Sequence, residues 1–143
     1  MIKAINVLKV ISSIVFLATL LFVYALLPVM VNINPEETGW SLHKEYFFYG
    51  MMIICVVVNI FSYTVERMLF PVISSDEIKS WIKGFSVVLN LYLAFLVGYV
   101  GVMNNPQHFE AGAYGYLNYL GPLLIFGWTI GLVFSIVNKS KTT

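Results

Sequence analysis

The sequence predicts an all-α fold, a bundle of four membrane-spanning helices forming one domain over residues 1–143, with both termini cytoplasmic. Three observations carry this. Hydrophobic residues make up 59% of the chain and charged ones only 10%, against about 25% charged in a soluble domain. Four apolar runs each reach the length of about 20 residues that a spanning helix needs. The basic residues gather on alternate sides of those runs. The same arithmetic leaves no room for a separate soluble domain. It also excludes a basic nucleic-acid-binding surface, because the net charge is +1 and no basic cluster occurs.

The first run, residues 10–31, contains no charge. A secretory signal would also begin with residues such as Lys3 and Lys9, but its apolar stretch is about 7–15 residues and ends in a small-residue cleavage site. Leu26, Leu27, Pro28, Val29 and Met30 stand there instead, so an uncleaved span is expected. The second run covers residues 46–65, the third 81–103 and the fourth 116–137. In the loop before the third, Ser74 reads as a helix cap with Glu77 three residues on, a capping box, and Pro71 suits the preceding turn.

Orientation follows from the loops. Lys3, Lys9, Arg67, Lys79, Lys83, Lys139 and Lys141 fall on one side; Lys44 alone falls on the other, with Glu36, Glu37, Glu45 and Glu110. The basic side is the cytoplasmic one. Trp40, Tyr46, Tyr49, Tyr114, Tyr116 and Tyr119 crowd the opposite boundary, as aromatic rings do at membrane interfaces. Laying residues 34–50 over 105–121 matches Asn34-Pro35 with Asn105-Pro106 and Gly50 with Gly121. A duplicated helical hairpin would produce this, and so would chance in a biased composition.

Polar side chains inside the spans are expected to face other helices, since hydrocarbon offers no water to satisfy them. Counted from the cytoplasmic ends at 1.5 Å per residue, Asn59 lies about 10 Å deep and Asn90 about 13 Å deep, so the two amides are placed to meet. Cys55, Asn59 and Tyr63 recur every four residues on the second helix; Ser86, Asn90, Ala94, Gly98 and Gly101 follow similar spacing on the third. Both stripes read as interior faces, with packing as their default meaning and a solute path lined by Asn59, Tyr63, Ser86 and Asn90 as the sharper one. No Asp, Glu, His, Lys or Arg occurs in the core of any span, which argues against a proton- or ion-coupled carrier. Gly127, Gly131 and Ser135 form a small-residue groove where another helix backbone can approach. Cys55 has no partner for a disulfide and no basic neighbour to activate it, so it reads as a buried apolar side chain.

The outer loops hold weak metal candidates in His43, Glu45, His108 and Glu110. Imidazole and carboxylate suit a divalent metal, but each pair is spaced by two rather than by the four that a helical site uses. Solvated loop residues are the favoured reading, and no metal or other cofactor is expected. No nucleophile elbow, phosphate-binding glycine loop or zinc-protease motif occurs, so an enzyme is not expected.

Tyr24-Ala-Leu-Leu-Pro28, followed by Val31, Ile33, Gly39 and Lys44, resembles the loop after the first helix of SdpI-type immunity proteins and their relatives. The similarity covers about 20 residues. Asn34 and Pro35 depart from it, standing where that family has a histidine and an aromatic. The resemblance implies an extracytoplasmic loop that senses or blocks a peptide. In general style the chain is also similar to uncharacterised four-helix membrane proteins of bacteria.

The leading expectation is a non-enzymatic accessory or interaction protein of a bacterial inner membrane. Its partners would be the lipid bilayer and a membrane protein or second copy, not nucleic acid. A small oligomeric transporter or channel is the alternative, and immunity to a membrane-active peptide is the third reading.

Overall fold

The computed structural model describes residues 2–33, 40–105 and 116–140. They form α1 (Ile2–Leu26), β1 (Met30–Asn32), β2 (Ser41–His43), α2 (Lys44–Leu69), α3 (Asp76–Met103) and α4 (Leu117–Ser140). All four helices are long and apolar enough to cross a membrane.

Beside the four expected helices stands a short two-stranded hairpin that the apolar runs do not announce. α1 starts eight residues before the expected span and ends at Leu26, before Pro28, which disfavours helical geometry at the residue preceding it. The apolar residues beyond it extend instead. Met30 pairs with His43, Val31 with Leu42 and Asn32 with Ser41 in antiparallel register. The hairpin turns Val31 fully inward, against a core shared with Leu27 and Phe47. α2 leaves β2 directly, with His43 as its N-cap.

The cap of α3 is also one residue from its expected place. Ser75, not Ser74, accepts from the backbone N–H of Ile78, and Glu77 lies in the first turn beside Asp76. Acidic side chains there complement the positive end of the helix dipole.

α3 is the central helix, packed on each of the others. Numbers rise together along its contacts with α1: Asn6 meets Lys83, Ser13 meets Asn90, and Val23 meets Gly101. α1 and α3 are therefore parallel, and α2 and α4 run against them. One end of the bundle, the terminal end, gathers the starts of α1 and α3 and the ends of α2 and α4; the hairpin lies at the other. The α1 stripe Ser12, Phe16, Leu20 and Val23 continues to Leu27 and packs with Leu93, Ala94 and Val97 of α3. α4 joins through aromatic contacts. The Trp128 indole donates to the Trp81 carbonyl at 2.9 Å and its ring lies 4.6 Å from that of Phe85, while the Trp81 and Tyr92 rings occupy the space beside Gly131 and Gly121.

Candidate functional site

Asn90 sits fully buried on α3 at the junction with α1 and α2. Its amide nitrogen donates to Ser13 Oγ at 3.0 Å and, at longer range, to Ser12 Oγ and Asn59 Oδ1. Its Oδ1 accepts from Asn59 Nδ2 at 2.9 Å and from the Cys55 thiol at 3.9 Å. Asn59 Nδ2 also donates to the Cys55 carbonyl one turn back, at 2.9 Å. The two serines close the cluster by donating to the Lys9 carbonyl. Among the described residues, no buried side-chain nitrogen or oxygen lacks a hydrogen-bond partner. That is the condition for keeping amides away from water.

One turn closer to the terminal end, Lys9 Nζ of α1 meets Glu66 Oε1 of α2 at 2.9 Å, with the two side chains 24% and 11% exposed. Sequence reasoning missed this pair because the charges themselves were used to delimit the spans. Lys9 stands just before residue 10 and Glu66 just after residue 65, and both helices continue past those limits. Opposite charges at matching depth on neighbouring antiparallel helices were the available signal. Ser12 and Ser13 belong to the cluster as well, although in the sequence they sit inside an apolar run.

Between α1 and α2 lies a groove of about 530 Å³ that opens sideways. Lys9, Ser13, Cys55 and Asn59 form its polar lining, and Leu17, Met52, Val56, Ile60 and Tyr63 its apolar walls. It exists because α1 and α2 both lean on α3 while touching each other chiefly at their ends.

The structure brings Asn59, Ser86 and Asn90 inward but not Tyr63. Ser86 is fully buried and donates to the Lys83 carbonyl, whereas Tyr63 is 59% exposed. A repeat of four drifts about 40° per step around a helix of 3.6 residues per turn, so the stripe from Cys55 leaves the interior before Tyr63. The inward stripe of α2 is Phe47, Cys55, Ser62 and Glu66.

The small residues of α4 meet unlike surroundings within the chain. A Cβ on Gly127 would meet nothing within 4 Å, whereas Gly131 admits the Trp81 ring, a side chain rather than a helix backbone. Ser135 donates to Glu77 Oε1 at 3.2 Å. On α3, Gly98 is open and Gly101 is tight, its Cβ position lying 2.9 Å from Val23 Cγ2.

The proposed repeat pairs unlike environments: open space at Gly50 and the Tyr92 ring at Gly121. Asn34, Pro35 and Pro106 lie outside the described residues. So do the weak metal candidates His108 and Glu110. His43 Nδ1 accepts from the Glu45 backbone N–H at 3.4 Å, which makes it the N-cap of α2. Among the described residues, no three His, Cys, Asp or Glu side chains cluster as a metal site.

At the hairpin end, Asn104 was not anticipated. This buried residue caps α3 and bonds both backbone groups of Asn32. Comparison with protein-family models, with curated proteins and with solved structures finds no match to this chain.

Proposed function

We propose that this chain is a non-enzymatic multi-pass protein of a bacterial inner membrane, with both termini cytoplasmic, acting as an accessory or interaction subunit. The bias of Lys and Arg toward the terminal end supports the orientation. The observation that carries the function is the hairpin. It is fastened to α3 through Asn104, and it presents Met30 and Ile33, with the neighbouring Val29 and Trp40, as largely exposed apolar side chains at the rim of the bundle. A surface that is both apolar and held in place suits a protein partner, since little ordering remains to oppose binding.

The test is mass spectrometry of the protein purified gently from its native membrane, alongside a Met30→Ser/Trp40→Ala variant. A chain that co-purifies with the wild type and is lost from the variant supports the reading. Wild-type protein that yields only homo-oligomers overturns it.

The same surface would serve the immunity reading, where the occupant is a peptide arriving from outside; protection of cells against an added peptide separates the two. A transport path finds less support. The amides at the junction bond to one another, and Asn90 and Ser86 are completely buried. Loss of flux in Asn90→Leu, with the bundle intact, would restore that alternative.

A further inference from the structure

The groove between α1 and α2 is bounded at both ends. Lys9 and Glu66 close it near the terminal end, and the rings of Tyr24 and Phe48, 4.9 Å apart, close it toward the hairpin. A partner helix, about 10 Å across or more, cannot lie between two helices pinned together in this way. A single acyl chain can. The apolar walls of Leu17, Met52 and Val56 face a groove whose volume of about 530 Å³ falls within the range of about 300–1,000 Å³ usual for small-molecule sites.

Polarity increases toward the Lys9 end. The ammonium has three N–H donors and uses one on Glu66, with 24% of the side chain left exposed. An adjoining hollow shares Lys9, Ser13, Leu17 and Asn59 and adds Asn6, whose Oδ1 accepts from Lys83 Nζ at 2.8 Å. Lys83 and Lys79 both approach the Phe70 ring, at 5.6 and 5.9 Å. Lys9, Arg67, Lys79 and Lys83 thus gather around the end of α2 and the start of α3, against the carboxylates of Glu66, Asp76 and Glu77. A basic recess between helices at headgroup level selects anionic lipid. Lys9 stands seven residues, about 10 Å, along α1, a depth from which a lysine stem reaches the interface.

We infer that the α1–α2 groove binds one anionic phospholipid, its phosphate against Lys9 and one acyl chain along Leu17, Met52 and Val56. This rests on the membrane-spanning reading, which flotation of the protein with vesicles reports separately. The probes are phosphatidylglycerol and phosphatidylcholine, added to delipidated protein and followed by native mass spectrometry. One phosphatidylglycerol is retained in preference to phosphatidylcholine. Lys9→Gln weakens that retention about fivefold, the effect of one lysine at a charged surface. Val56→Trp fills the groove without touching the ion pair and abolishes retention, whereas Val57→Trp, on the exposed face outside the groove, leaves it unchanged. A photo-crosslinking residue at Ile60 labels lipid. Equal retention of the two lipids, retention that survives Val56→Trp in folded protein, or crosslinking at Ile60 to a protein chain overturns the inference.

Discussion

Asn104 holds Asn32 by both of its backbone groups, accepting from the amide at 2.7 Å and donating to the carbonyl at 2.9 Å. The side chain thereby mimics a strand along the free edge of β1, while its second donor contact, to the Val100 carbonyl at 2.8 Å, anchors it to α3. An extended segment too short to be stable by itself is held by the helix that ends beside it.

Replacing Asn104 by Ala removes both bonds and leaves the Asn32 groups short of partners. Asn32 is itself exposed, so water can replace the lost partners and the expected loss is about 1 kcal/mol, the net worth of such hydrogen bonds. Hydrogen exchange at the Asn32 amide should accelerate far more than exchange within α1.

The Lys9 and Glu66 pair lies among apolar walls, so losing one partner is worse than losing both. Lys9→Met or Glu66→Met alone is expected to destabilise by about 3 kcal/mol, the low end for buried pairs because Lys9 keeps some exposure. The double variant should recover most of that loss. Thermal unfolding of all four proteins in detergent gives the coupling; additive losses would show that the charges act independently.

Asn90→Leu deletes bonds to Ser13 and Asn59 at once and leaves the Asn59 carboxamide with its local bonds to Cys55. Interhelical hydrogen bonds in membranes average about 0.6 kcal/mol, so a loss of about 1–2 kcal/mol is expected. Asn59→Leu should cost less, because Asn90 retains the serines. The two melting temperatures decide the order.

Gly121 and Gly127 are about 1.7 turns apart and should respond differently. Gly121→Ala places a methyl group in the Tyr92 ring and should lower the melting temperature; Gly127→Ala meets open space and should leave it unchanged. Pairing Gly121→Ala with Tyr92→Ala should relieve the collision.

For the start of α3, Ser75→Ala should cost about 1 kcal/mol as the loss of a helix cap, and Ser74→Ala close to nothing. Equal effects in circular-dichroism melts would place the cap differently.

The helices were legible because an apolar run of 20 residues admits few other structures, and the meeting of Asn59 with Asn90 followed from depth alone. Val29 to Val31 misled because three-residue strands are too short to show alternation, so the only clue was Pro28. Tyr63 lies outside the interior because a spacing of four rotates away from a fixed helix face. Lys9 and Glu66 are hard to place inside from sequence because charge ordinarily marks the end of a span.

The pairing of α1 with α3 also bears on how the bundle is built. Ser13 and Asn90 are separated by 77 positions, so α1 and α2 are both made before the helix that joins them. The contacts of Lys9 with Glu66 and of Tyr24 with Phe48 involve α1 and α2 alone, whereas the Asn59 amide finds its interhelical acceptor on α3. The polar junction between α1 and α2 is therefore complete only once α3 supplies Asn90.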